Sequence, residues 1–221
     1  MNRNPQIKPA KEIGRKGVRY MRENAIICIS REFGSGGRDL GDHLGEMLGI
    51  PVYGKELIAK VAQKSDMSEE YVRNHEENPA YSHIFGVPLG HPAPGVSYDG
   101  IMTPEKLFCI QSEIIQQIAE EEKSCVFVGR CADIILQNYE NCYAFFIHAP
   151  MDYRIERIMR SENATKKQAK KMIKQTDWER SAYHDYYTGI KWGHPSNYNL
   201  LINTAKTGIE RAARVIAEYI K

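Results

Sequence analysis

The chain turns from an apolar, β-prone run into a helical pattern through a short glycine-rich loop. Residues 26–41 read IICISREFGSGGRDLG, with three glycines, Gly34, Gly36 and Gly37, at the turn. A strand that runs straight into a helix this way must place the helix back against its own sheet. The same layout suits an anion: glycines let the backbone come close, and the helix directs its first N–H groups and the positive end of its dipole at one point. Gly34, Ser35, Gly36, Gly37, Arg38 and Asp39 are therefore candidates for a phosphate cradle. An ordinary glycine-rich turn stays open on this motif alone.

The loop departs from the phosphate-loop pattern GxxxxGK[ST], whose lysine reaches the β- and γ-phosphates. Gly37 occupies the lysine position and Arg38 follows it. Nucleotide binding is readable from the loop, whereas transfer chemistry would need cations placed by other means.

Downstream, apolar strand-like runs alternate with helical patterns. Strands are expected at 25–30, 52–53, 125–129, 142–147 and 199–204. Helices are expected over 39–48, from about Lys55, from a capping box of Asp66 and Glu69 to Glu77, over 150–160, 165–187 and 207–220. Thr103 and Pro104 start a further helix as cap and first position. Short apolar strands separated by helices predict a parallel sheet covered on both faces, with ligands at the C-terminal strand ends. Residues 78–104 break the pattern, with prolines at 79, 88, 92, 94 and 104. A loop that long is usually functional or mobile.

Bulk properties exclude several classes. With 221 residues, 42% hydrophobic and 26% charged, the chain fits one large globular domain. A net charge of +2 gives no reason to expect a nucleic-acid partner. No apolar run reaches the length of a membrane span, and residues 1–24, with seven Lys/Arg against two Glu, read as a basic flexible tail without a secretory leader. The five cysteines, 28, 109, 125, 131 and 142, lack CxxC spacing. They predict neither a disulfide framework nor a zinc site, and a reducing, cytoplasmic setting. The histidines show no HxxxH or HExxH spacing, so no metal-ligand set is expected from side chains.

Candidate cations fall in two places. Gly129-Arg130 ends the third strand, where an arginine can grip a phosphate with two donors, and Asp133 follows on the next helix. Arg154, Arg157 and Arg160 recur every third residue and are expected to share a helix face. Lys166, Lys167, Lys170, Lys171, Lys174 and Arg180 lie mostly on the next helix, where a lid would close over phosphates. Asp177 and Arg180 are spaced to pair. Tyr183, Tyr186, Tyr187 and Trp192 read as packing rather than base-stacking.

These features together resemble the cytidylate kinase-like family, a divergent branch of the P-loop nucleoside monophosphate kinases. The likeness runs from about Ile26 to Ile220. It rests on ISREFGSGGRDLG, GIPVYGKELI, VGRCADIIL, the Asp177–Arg180 segment and NLLINT. The resemblance implies a three-layer α/β P-loop NTPase fold with about five parallel strands and helices on both faces. It also implies an acceptor-side insertion at about 66–104 and a lid at about 160–192. ATP and Mg²⁺ would be used, with small nucleotides as partners. Gly34 to Asp39 would hold the donor phosphates, Arg38 standing in for the lysine. Arg130, Asp133, Lys60 and Tyr53 would face the acceptor. Arg38, Arg154, Arg157, Asp177 and Arg180 would be catalytic. Gly54 stands where the branch usually carries an aspartate after the tyrosine.

The leading expectation is phosphoryl transfer from ATP to a nucleoside monophosphate, most simply CMP or dCMP. Two alternatives stay open: a nucleotide-binding module with little turnover, and a kinase with another small acceptor.

Overall fold

Strands carrying Val, Ile and Phe at successive positions are apolar on both faces and need cover on both. The computed structural model describes residues 24–75 and 102–221, and there it provides that cover. Five parallel strands, β1 (Ile26–Arg31), β2 (Val52–Tyr53), β3 (Cys125–Val128), β4 (Cys142–His148) and β5 (Leu200–Asn203), lie in the order β2-β3-β1-β4-β5. β1 is central, with Ile26 opposite Cys125 on one side and Cys142 on the other.

Alternation along β1 feeds two cores. Ile26 and Cys28 face α2 (Glu56–Ser65) and α4 (Pro104–Glu121) through Leu57, Val61, Ile115 and Ile118. Ile27 and Ile29 face α1 (Gly37–Leu48) and α9 (Ile209–Tyr219) through Leu40, Leu44, Ala213 and Ile216. The result is the expected three-layer α/β arrangement. A third cluster joins α6 (Met151–Ser161) to α7 (Lys166–Thr188) through Ile155, Ile158, Ala169 and Ile173, with Phe33 of the glycine loop packed against it.

Local signals set most boundaries. Thr103 caps α4 by accepting from the Lys106 N–H, with Pro104 at the first position. Thr165 and Gln168 form a full capping box at the start of α7. One boundary differs from expectation. Asp66 adopts a left-handed conformation that closes α2, and α3 (Glu69–His75) is capped instead by Ser68, whose hydroxyl accepts from the Tyr71 N–H at 3.1 Å. A residue finishing one helix cannot hold the extended backbone that a cap for the next requires. The expected basic tail over residues 1–23, the continuation of α3 beyond His75 and the proline-rich loop up to residue 101 lie outside the described residues. Among the described residues, no helix is long and apolar enough to cross a membrane.

The sheet order leaves β1 and β3 adjacent, with the loops that follow them side by side. The short helix α5 (Ala132–Ile135) follows β3, and α8 (Thr204–Thr207) follows β5. Of the candidate cations, Arg130 and Arg180 meet at this edge.

Candidate functional site

The glycine loop leaves β1 at Arg31 and enters α1 at Gly37, with Gly34 and Gly36 at positive φ. Its shape is fixed from inside. The Ser35 hydroxyl donates to the Glu32 carbonyl at 2.8 Å, and the Thr204 hydroxyl donates to the Ser35 carbonyl at 2.6 Å. Glu32 accepts from the Ala149 N–H at 3.0 Å. Gly37 is glycine for lack of room. A Cβ there would stand 2.4 Å from the Arg31 Cβ and 2.9 Å from its Cγ.

The arginines of α6 divide by depth instead of sharing a face. Arg154 is buried and held by Asp177, by the Phe33 carbonyl at 3.3 Å and by Glu32 at 3.5 Å. Arg157 is half-exposed and paired with Asp39, its guanidinium lying over Gly36. Arg160 is exposed and paired with Glu156 on its own helix. Steps of three residues each fall short of a full turn, so two steps carry a side chain around the helix by about a third of its circumference.

Asp177 and Arg180 do not pair with each other, as their spacing alone would suggest. Asp177 accepts from the Phe33 N–H at 2.7 Å and from Arg154, whereas Arg180 donates to the Arg31 carbonyl at 3.2 Å and lies over the Phe33 ring. Helix α7 thus grips the glycine loop at two points. Lys166, Lys167, Lys170, Lys171 and Lys174 all lie on its solvent side.

Arg38 does not stand in the phosphate loop's lysine role geometrically. It turns away toward α2, bonding Asp42 and Glu56 at 3.0 Å each. A Cβ at Gly54 would fall 2.2 Å from the Arg38 Nη1, the flexible end of a partly exposed side chain that can shift to make room. Tyr53 and Lys60 also lie apart from the loop. The Tyr53 hydroxyl donates to Glu122, ahead of β3, at 2.8 Å while its ring stacks on Phe127. Lys60 is exposed on α2.

Arg130 sits in the most strained backbone of the site. Gly129, Arg130 and Cys131 have φ of 81°, 61° and 56°, three consecutive left-handed residues of which two carry side chains. Such strain, of order 1–3 kcal/mol per residue, persists only where the surroundings enforce it. The buried guanidinium donates to the Gly54 carbonyl at 3.0 Å and to the Gln111 amide oxygen at 3.4 Å. Burial draws its pKa down to about 10; Tyr183 and Glu56 oppose that shift, and the like charges of Arg31 and Arg38 add to it.

Ser30, Arg31, Gly129, Arg130, Arg180 and His184 line a narrow cleft at this edge. Asp133 is close by but turned inward, accepting from the Ser30 hydroxyl at 3.2 Å and facing His184. Sequence reasoning misses Gln111, Arg31 and His184. Gln111 falls within a helical pattern that gives it no distinction, yet it is buried and bonds Arg130 from both sides. The aromatic cluster packs internally, Phe108 stacking on Tyr187 with centroids 4.2 Å apart and Trp192 meeting Phe146 edge-on, while Tyr183 and Trp192 also border the cleft.

Comparison with known proteins agrees with this architecture. A family model described as the cytidylate kinase-like family matches residues 26–206. An uncharacterized protein from Eubacterium ventriosum ATCC 27560 is 31% identical, with a TM-score of 0.67 over 89% of this chain and 98% of that one. The shikimate kinase from Bacteroides thetaiotaomicron is 13% identical, with a TM-score of 0.52 over 89% of this chain and 98% of its own. That from Acinetobacter baumannii, solved in complex with shikimate, is 12% identical with a TM-score of 0.50, covering 89% and 92%. At such identity these two show a shared fold. A search of curated proteins returned no match. The three-layer parallel sheet, the glycine loop after its central strand and the extent of the family match agree, and the chain belongs to the cytidylate kinase-like family.

Proposed function

We propose that the protein transfers the γ-phosphoryl group of MgATP to a nucleoside monophosphate, with CMP or dCMP the simplest acceptor. The observation that supports this most strongly is the buried Arg130 guanidinium, held at the end of β3 in one cleft with Arg31 and Arg180. That cleft adjoins the glycine loop at the end of β1. Phosphoryl transfer requires two phosphates held close and their charge neutralised, with little covalent work for the protein. The first-turn amides of Gly37, Arg38 and Asp39, with the loop from Gly34 to Gly36, offer backbone donors for the nucleotide polyphosphate. Arg130 and Arg180 supply the cations for the acceptor phosphate.

In this reading an acceptor phosphate oxygen attacks the γ-phosphorus as the bond to the β–γ bridging oxygen breaks, and ADP leaves. Mg²⁺ arrives as part of the nucleotide, held mainly by phosphate oxygens and water. Arg154 and Asp177 position the loop through Phe33, and Arg157 with Asp39 borders it. Residues 160–192 act as the lid and 66–104 as the acceptor-side insertion of a single domain over residues 25–221, working in the cytoplasm.

The test is ADP release with MgATP against a panel of nucleoside monophosphates, with shikimate and a no-acceptor reaction as controls. Turnover from about 1 s⁻¹ upward with CMP or dCMP is the expected result. Turnover with shikimate alone would move the protein to another acceptor class. Silence throughout, in protein that binds MgATP by calorimetry, would favour a binding module.

A further inference from the structure

We infer that Arg31 is the cation of the glycine loop, occupying the opposite end of the loop from the usual lysine. The inference rests on the phosphoryl-transfer reading above and deepens it. In GxxxxGK the loop opens on a glycine and closes, at its seventh position, on the lysine. Here the first position is Arg31 and the seventh is Gly37, so glycine and cation have changed places across the same four-residue spacing and the same Gly36. The geometry gives the exchange a physical basis. A Cβ on residue 37 would lie 2.4 Å from the Arg31 Cβ, too close for both positions to carry side chains without a backbone shift. A glycine at one position is the condition for a long side chain at the other.

The remaining cations near the loop are differently placed. Arg38 is drawn off to Asp42 and Glu56, Arg154 lies beneath the loop on Glu32 and Asp177, and Arg157 is on Asp39 at the rim. Arg31 lines the cleft together with Arg130 and Arg180, and its charge is felt by the Arg130 guanidinium. Its carbonyl is fixed by Arg180, and the next residue is fixed by the bond from the Glu32 N–H to the Ile147 carbonyl at 2.9 Å. The side chain therefore leaves an anchored strand end beside the first turn of α1. An arginine so rooted can bridge two phosphate oxygens with a planar fork, where a lysine offers a point charge. It serves the polyphosphate electrostatically.

Calorimetry with the magnesium complex of the non-hydrolysable analogue AMP-PNP, and with AMP, tests this in the full chain. Thermal melting of each variant confirms that it is folded. Arg31→Ala is expected to weaken the triphosphate analogue by about tenfold or more while changing AMP affinity by less than about twofold. Gly37→Lys alone is expected to lower the melting temperature and weaken the analogue, because the two side chains collide. Joining Arg31→Gly to Gly37→Lys restores the GxxxxGK order, and should recover affinity to within about threefold of wild type. A folded Arg31→Ala protein that binds the analogue within about twofold of wild type overturns the inference and leaves the transfer reading intact. A double variant that binds no better than Arg31→Gly also overturns it. A wild-type protein that binds no MgAMP-PNP overturns the transfer reading itself, and Arg31's role with it.

Discussion

His184 Nε2 faces Asp133 Oδ2 at 3.5 Å, a buried imidazole–carboxylate contact between the last turns of α7 and the short helix α5. The other ring nitrogen, Nδ1, lies 2.9 Å from the Ile190 carbonyl and must donate to it. A neutral ring would then turn a lone pair toward the carboxylate, so the arrangement favours the doubly protonated form.

This contact gives stability a specific dependence on pH. Burial lowers the His184 pKa, but the nearby Asp133 carboxylate, the Ile190 carbonyl and the charge of Asp185 together outweigh it, so the pKa is raised. A histidine with a raised folded pKa stabilises fully below its unfolded value of about 6.5, and loses that contribution as pH climbs through the folded value. Urea unfolding should therefore show stability declining upward from about pH 6.5, with His184→Gln less stable on the acid side and flatter in slope. An identical slope in the variant would remove this pair as the cause.

Arg130 holds the acceptor phosphate in the proposed reaction. Arg130→Ala should raise the acceptor KM by about 30-fold or more while MgATP affinity stays near wild type, as expected when one partner of a buried charged contact is lost. Steady-state kinetics varying each substrate in turn separates the two. An unchanged acceptor KM would place the acceptor elsewhere.

Arg38 follows the phosphate loop in sequence but turns away from it, to Asp42 and Glu56. Arg38→Ala should alter MgATP affinity by less than about twofold and cost no more than about 1 kcal/mol of stability, the scale of exposed ion pairs. A collapse of nucleotide binding in calorimetry would return Arg38 to the loop's chemistry.

Asp177 joins the buried Arg154 to the Phe33 N–H. Asp177→Ala strands both, and should cost about 3 kcal/mol by denaturant titration, as expected for breaking one side of a buried ion pair. A loss below about 1 kcal/mol would mean that Glu32 alone satisfies Arg154.

The sheet and the glycine loop are legible in the sequence because their signals are local. Apolar runs of strand length, Gly49 closing α1, Thr103-Pro104 and Thr165 each act within a few residues. The site is legible only as residue types. Arg130 is readable because it ends an apolar strand after a glycine. Arg154 and Arg38 look free for chemistry because their partners are far apart in sequence: Asp177 is 23 residues from Arg154, and Glu56 is 18 from Arg38. Arg31 is hidden by the motif itself, whose conspicuous departure is the missing lysine at position 37, not the missing glycine at position 31. Gln111 and His184 carry no local signal, and their meaning arises only when α4 and α7 meet β3 and α5.

Helix α7 presents Asp177, Arg180 and His184 to three different seats: the Phe33 amide, the Arg31 carbonyl and Asp133. The spacings of three and four residues between them keep all three on one side of the helix. Single substitutions would each spoil one seat. Inserting or deleting one residue between 177 and 184 would rotate the remainder of the helix by about 100° and unseat several contacts at once. In the turn beyond Gly189, the same change would be absorbed by loop. Descendants of this chain are free to vary what these teeth are made of far more readily than the number of residues between them.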